Sequence, residues 1–117
     1  MRNPLLAIIL SVALIGPAEA HAFLESAEPA AGATLSAPPK SVDITFTQAV
    51  EPSFSTIEVT DAQGNRVDQS NPHAQGKGEV LSVDLKPLTP GDYKVVWHAT
   101  SVDTHKTQGS FAFTVTK

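Results

Sequence analysis

Three residues in this sequence have the types and positions of metal ligands: His21, Asp103 and His105. Imidazole nitrogens and carboxylate oxygens are common ligands of divalent transition metals in proteins. Asp103 and His105 stand two residues apart, and in an extended segment residues i and i+2 project to the same side. The spacing therefore predicts that these two side chains converge on one point, just beyond a strand that ends near Thr100.

His21 matters because of the segment that precedes it. The first twenty residues contain, in order, a positive charge, an apolar run, a helix break and a small-residue cleavage sequence: Arg2, Leu5 to Ile15, Gly16-Pro17 and Ala18-Glu19-Ala20. This order is typical of a secretory signal peptide, and the apolar run is shorter than the roughly 20 residues of a membrane-spanning helix. We therefore expect residues 1–20 to be removed after Ala20, residues 21–117 to form one mature domain, and that domain not to insert stably into a membrane. An uncleaved membrane anchor is the alternative.

Cleavage after Ala20 would make His21 the first residue, with its α-amine and its ring Nδ1 in chelating distance of one another. An α-amine has an ordinary pKa of about 7.7–8.0, so a metal can displace its proton at neutral pH. Adding one nitrogen of His105 and one oxygen of Asp103 gives three nitrogens and one oxygen, which suits tetragonal Cu(II). Zinc would tolerate this set, but Cu(II) binds such sites more tightly. The sequence thus predicts one Cu(II) ion per chain.

The composition excludes several other classes of protein. The 117 residues contain no cysteine, which rules out disulfides, thiolate zinc sites, iron–sulfur clusters, cysteine nucleophiles and blue copper. The single methionine is Met1, so the sulfur ligands that Cu(I) prefers are missing from the mature chain. The net charge of −4 and the lack of a basic patch argue against nucleic acid as a partner. Hydrophobic residues at 41% suffice for the packed core of a single domain.

The elements that must position the ligands are predicted to be β-strands. Apolar and polar residues alternate in five segments, and a short strand precedes them at Ala22–Ala27; the five segments are 42–46, 57–59, 81–85, 93–97 and 111–115. Six or seven short strands separated by turns predict an all-β sandwich or Greek-key barrel. Thr34–Lys40 is predicted to be a proline-rich connection. Ser70–Gly78 is the longest polar loop and the best candidate for disorder.

At this point the sequence resembles the CopC family of periplasmic copper-binding proteins. The similarity runs from His21 to Lys117, and its most specific part is a Pro-Gly-x-Tyr-x-Val-x-Trp segment followed by Ser-x-Asp-x-His, at 90–97 and 101–105. The resemblance implies a cupredoxin-like, immunoglobulin-like Greek-key β-barrel. It implies a Cu(II) site in which the N-terminal histidine binds through amine and ring. The family's aspartate and second histidine fall on Asp103 and His105.

The resemblance also implies a role in copper tolerance or copper delivery in the periplasm, often beside an inner-membrane partner of the CopD type. We expect a monomer. Some members have a Cu(I) site built from a methionine-rich loop, whereas the corresponding loop here contains His73 and no methionine. Some members also place a glutamate near the Cu(II) site, where this chain has Gln48. The chain therefore resembles the members that have a single Cu(II) site.

The other candidate residues have structural interpretations. His98 alternates with Trp97 and is expected on the surface or beside the site rather than on the metal, and His73 is expected in a solvated loop. Glu51 and Gln48 are candidates for contacts around the ligands. Ser101 and Thr104 are expected to steady the turn at Asp103 by hydrogen bonds from side chain to backbone.

Two other functions fit parts of the sequence. An N-terminal histidine and a second histidine on copper also form the site of copper-dependent polysaccharide oxygenases. Asp103 argues against that activity because an anionic ligand stabilises Cu(II), and we expect the chain not to be an enzyme. A metal-free immunoglobulin-like interaction domain is the remaining possibility, and it would give no role to the amine of His21.

Overall fold

The structure is a computed structural model that describes residues 23–69 and 71–117. The predicted signal peptide, its cleavage site and His21 lie outside the described residues. Among those that are described, no helix is both long enough and apolar enough to cross a membrane.

Eight strands form two four-stranded sheets. The strands are β1 (Leu24–Glu28), β2 (Thr34–Leu35), β3 (Ser41–Phe46), β4 (Thr56–Thr60), β5 (His73–Gln75), β6 (Val80–Asp84), β7 (Gly91–Thr100) and β8 (Lys106–Val115). The first sheet has the order β1-β3-β6-β5 and the second has the order β2-β8-β7-β4. A single turn of 3₁₀ helix at Pro52–Phe54 precedes β4. The predicted all-β sandwich is confirmed.

The core lies between the two sheets and contains the inward-facing residues that the alternation predicted. Val42, Ile44 and Phe46 of β3 are buried, as are Val95 and Trp97 of β7. Phe46 and Trp97 pack edge to face across the sheets, with ring centroids 5.2 Å apart. A two-residue period thus places one row of each strand in the core, where burial of apolar side chains drives the sheets together.

Trp97 also explains a glycine in the middle of β8. Gly109 lies directly opposite Trp97 in the β7–β8 ladder. A Cβ atom at Gly109 would lie 2.8 Å from Cζ2 of the indole, which is too close for a real contact. The absence of a side chain at this position therefore lets the indole lie against the backbone of the neighbouring strand.

Two segments that the sequence assigned to loops contain short edge strands. Thr34–Leu35, within the predicted proline-rich connection, pairs in parallel with the end of β8. His73–Gln75, within the segment expected to be disordered, pairs with β6, and Gln75 Nε2 donates to Ser82 Oγ at 2.9 Å. Backbone pairing and polar contacts hold both strands. Neither has an apolar face long enough to show a period, which is why both interpretations missed these short strands.

One carboxylate is built into the scaffold. The side chain of Asp68 is fully buried, and its two oxygens accept from Arg66 Nε at 2.7 Å and Nη2 at 2.8 Å. The Val59 N–H donates to the same carboxylate at 2.9 Å. The hydrogen bond to Asp68 raises the pKa of Arg66, and the nearby charge of Asp68 adds to the effect. This network fastens segment 66–68 to the edge of β4.

Candidate metal centre

Asp103 and His105 lie in the tight turn that joins β7 to β8. The Ser101 N–H donates to the His105 carbonyl at 2.9 Å, and the Thr104 N–H donates to the Ser101 carbonyl at 2.8 Å. Thr104, between the two candidate ligands, has φ of 72°, in the left-handed region that β-branched residues seldom occupy. The predicted convergence of Asp103 and His105 is therefore confirmed, but its predicted cause is wrong. The chain reverses here, and a turn rather than an extended segment brings the side chains together.

The two candidate ligands contact one another. Asp103 Oδ1 lies 3.2 Å from His105 Nδ1, and the two side chains are 41% and 52% exposed. Two donors bound to one ion at about 2.0–2.2 Å each, in neighbouring coordination positions, lie about 3 Å apart. The distance between these atoms thus fits two ligands of the same metal ion. Their exposure leaves them accessible to a metal from solvent.

Asp103 is held in its ionised form. A hydrogen bond from the Ser101 hydroxyl is the largest cause, and the backbone N–H and ring of His105 add to it, so that the pKa of Asp103 falls from 3.8 to about 2. A carboxylate that is already ionised can bind a cation at neutral pH without releasing a proton.

The turn is fastened to the far end of the first sheet. The Val102 N–H donates to the Ala49 carbonyl at 3.1 Å, and the Glu51 N–H donates to the Thr100 carbonyl at 2.8 Å. The start of β1 reaches the same connection, because the Phe23 N–H donates to Thr47 Oγ1 at 3.0 Å. The segment from 47 to 51 therefore lies between the turn and the first described residue of the chain.

The other candidate residues lie outside the β7–β8 turn. His98 is exposed on the outer face of β7, where its Nδ1 lies 3.5 Å from Thr56 Oγ1, and Trp97 is in the core, as expected. His73 lies in edge strand β5, opposite Ser82. Glu51 is exposed beside the 3₁₀ turn. Within 23–69 and 71–117, no three His, Cys, Asp or Glu residues form a group that could hold a metal ion.

Sequence reasoning missed one contact at the site. Ser101 was expected to bond to backbone, and its hydroxyl does lie 3.3 Å from the His105 carbonyl. The same hydroxyl also donates to the carboxylate of Asp103. The spacing of two residues between Ser101 and Asp103 was visible in the sequence, but the turn that makes it a contact was not.

The fold and the turn together define a class: a two-sheet β-sandwich with an exposed carboxylate–imidazole pair in the turn between its two longest strands. The sequence profile of the CopC domain matches residues 24–116. The chain belongs to the CopC family, as the sequence resemblance predicted.

Individual relatives agree with this assignment. The chain is 34% identical to Protein YobA of Escherichia coli (strain K12) over 110 residues, which cover 92% of this chain and 89% of that protein. It is also 34% identical to copper resistance protein C of Xanthomonas campestris pv. juglandis over 104 residues, covering 82% and 80% respectively. The crystal structure of CopC from Methylosinus trichosporium OB3b matches with a TM-score of 0.77 and 35% identity, over 82% of this chain and 94% of that one. The cupredoxin-like sandwich is thereby confirmed.

Proposed function

We propose that the mature chain, residues 21–117, is a periplasmic protein that binds one Cu(II) ion and sequesters it or delivers it. The ligands are the amine and ring Nδ1 of His21, one nitrogen of His105 and one oxygen of Asp103. The observation that supports this most directly is the 3.2 Å separation of Asp103 Oδ1 and His105 Nδ1 in an exposed turn. Membership of the CopC family, with a relative named copper resistance protein C, supports copper as the ion.

The position of the first described residue supports His21 as the missing ligand. His21 precedes Phe23 by two residues, and two residues of extended chain span at most about 7 Å. Phe23 bonds to Thr47, and Ala49, two residues further on, bonds to Val102 of the turn. Phe23 and the turn thus contact the same connecting segment, which supports a ligand attached just before Phe23 as a partner of Asp103 and His105. That ligand would supply the third and fourth donor atoms to a pair that alone offers two.

The ligand chemistry favours Cu(II) over Cu(I). Nitrogen and carboxylate donors suit Cu(II), whereas thiolates and thioethers suit Cu(I), and the chain has no cysteine and no methionine after Met1. The negative charge of Asp103 stabilises the higher oxidation state. We therefore propose that the chain carries copper without redox turnover and is not an enzyme. Reversible reduction at an easily reached potential in a cyclic voltammogram would contradict this.

The remaining parts of the proposal concern the cell. Residues 1–20 direct the chain to the periplasm, and their removal after Ala20 frees the amine of His21. A monomeric carrier with an exposed site can pass its ion to an inner-membrane partner of the CopD type. The precursor cannot form the full chelate, because its residue 20 is bonded to the nitrogen of His21.

The test is a pair of Cu(II) titrations against a competing chelator. One protein starts at His21, and its matched control has a single extra glycine in front of His21. Strong binding by the first protein and a large loss in the second would support the amine chelate. Equal binding by both would contradict it and would favour the metal-free interaction domain or adventitious copper.

A further inference from the structure

Ser101 is a buried polar residue at an exposed site. It has no solvent exposure, whereas Val102 and Asp103, which follow it, are exposed. A buried hydroxyl needs a hydrogen-bond partner, because its loss of water is otherwise uncompensated. Its partners lie in the turn that presents the candidate ligands. The β-bridge between Val50 and Ser101 holds the Ser101 backbone in place, and the burial of the side chain restricts the position of its hydroxyl.

The hydroxyl acts on one oxygen of Asp103. The Ser101 Oγ donates to Asp103 Oδ1, and the same oxygen lies 3.3 Å from the His105 backbone nitrogen and 3.2 Å from His105 Nδ1. A hydroxyl has one proton to donate. The charged carboxylate is a stronger acceptor than the His105 carbonyl at 3.3 Å, so the Ser101 hydroxyl donates its hydrogen bond to Asp103.

We propose that Ser101 is a positioning residue for the copper site: it holds the carboxylate of Asp103 in its ligand orientation before the metal arrives. The inference rests on the proposed function of the turn. When His105 Nδ1 turns to a metal ion, Asp103 loses the imidazole as a partner. The Ser101 hydroxyl and the His105 backbone N–H remain as hydrogen-bond donors to Asp103, and they keep the carboxylate in the same orientation.

This arrangement has a measurable consequence for affinity. An exposed aspartate without such a partner samples several rotamers, and the entropy of fixing one of them opposes metal binding. In this protein the buried Ser101 hydroxyl fixes the Asp103 rotamer before the metal binds. Loss of residues that orient metal ligands typically lowers metal affinity about 10- to 100-fold. We expect Ser101→Ala to lower Cu(II) affinity by that factor.

The experiment uses the mature protein starting at His21 and three variants of it. Ser101→Ala removes the hydroxyl, and Ser101→Thr keeps it. Ser82→Ala is the matched control, because Ser82 is also buried and hydrogen-bonded but lies in β6 of the other sheet. Cu(II) affinity is measured by chelator competition, and the copper environment is measured by the g and hyperfine values of the Cu(II) electron paramagnetic resonance spectrum.

The proposal expects a weakened affinity and a changed spectrum for Ser101→Ala alone, with Ser101→Thr close to wild type and Ser82→Ala unchanged in both. Wild-type affinity and an unchanged spectrum in Ser101→Ala would overturn it, although copper binding by the wild type would leave the proposed function intact. Failure of the wild-type protein itself to bind copper tightly would overturn the proposed function instead.

A second measurement needs no variant and therefore does not depend on the folding of Ser101→Ala. Three-bond couplings to the β-protons of Asp103, in the metal-free wild-type protein, report its χ1 angle. A single rotamer supports a carboxylate positioned in advance. Couplings averaged over rotamers would show that nothing holds the side chain before copper binds, and the proposal would fail.

Discussion

Asp68 and Asp103 each bond to a residue two positions away, yet the structure uses the two carboxylates differently. Asp68 is fully buried, and its oxygens accept a two-pronged contact from Arg66 together with the backbone N–H of Val59. Asp103 has a 41% exposed side chain, and its neighbour is an imidazole that can also bind metal. The same local spacing therefore makes a structural anchor where the carboxylate is enclosed and a candidate ligand where it faces solvent.

The largest effect on copper binding should come from replacing Asp103, the exposed carboxylate of this comparison. Asp103→Asn removes the anionic ligand and should lower Cu(II) affinity by more than about 100-fold, because loss of a residue that merely orients a ligand already costs about 10- to 100-fold. Stability should fall only slightly at neutral pH, since the side chain is 41% exposed. Chelator competition and urea unfolding of the same samples measure both quantities. A fully stable variant that keeps wild-type affinity would remove Asp103 from the site.

The reverse pattern is expected at Asp68. Asp68→Ala leaves the Val59 N–H without its acceptor and removes two charge-assisted bonds to Arg66, so the free energy of unfolding should fall by about 2–3 kcal/mol. The folded fraction should bind Cu(II) as the wild type does. Urea unfolding and a titration below the transition test this. A stability equal to wild type would mean that the network adds nothing to the fold.

A smaller effect should appear at Thr104, whose φ of 72° is unfavourable for a β-branched residue. Thr104→Gly removes the steric cost of the left-handed conformation, and it also increases the conformational entropy of the unfolded chain. The first effect is the larger, so the free energy of unfolding should rise by about 0.5–1 kcal/mol. The control is Thr60→Gly in β4, which should be destabilised because a glycine weakens a strand. Thermal unfolding compares the two variants. Destabilisation of Thr104→Gly would show that the threonine contributes contacts outweighing its backbone strain.

The smallest effect concerns pH. Because the pKa of Asp103 in the folded protein is about 2, below its ordinary value of 3.8, ionised Asp103 adds stability that is complete above about pH 4 and is lost as the pH falls through 2. The stability difference between the wild type and Asp103→Asn should therefore shrink between pH 4 and pH 2. Urea unfolding at several pH values checks it, and a difference that grows on acidification would reverse the sign.

Much of the fold was predictable because the long strands bury one face. The alternation at Val42, Ile44 and Phe46, and again at Tyr93, Val95 and Trp97, identified β3 and β7 and their buried faces. Thr34–Leu35 was missed because its partner residues in β8 are distant in sequence, and His73–Gln75 was missed because its three residues are all exposed and show no apolar face. No period within the segment itself reports such an edge strand.

The candidate site was predictable as a set of residue types but not as a geometry. Asp103 and His105 could be named from their chemistry and their place after β7. The left-handed Thr104 and the buried Ser101 hydroxyl could not, because both follow from the way β8 must return along β7. The contribution of His21 stays a prediction, since that residue lies outside the described part of the chain.

The hydrogen bonds from Phe23 to Thr47 and from Val102 to Ala49 connect the first described residue and the β7–β8 turn to one segment, residues 47–49. An ion held as proposed, by His21 on one side and by Asp103 and His105 on the other, would act as a cross-link between the two sheets. Such a link closes a loop of roughly eighty residues, the kind of closure by which disulfides restrict an unfolded chain. In a protein without cysteine, the bound copper ion would then act as a reversible cross-link. The copper-bound protein would have a higher free energy of unfolding than the copper-free protein.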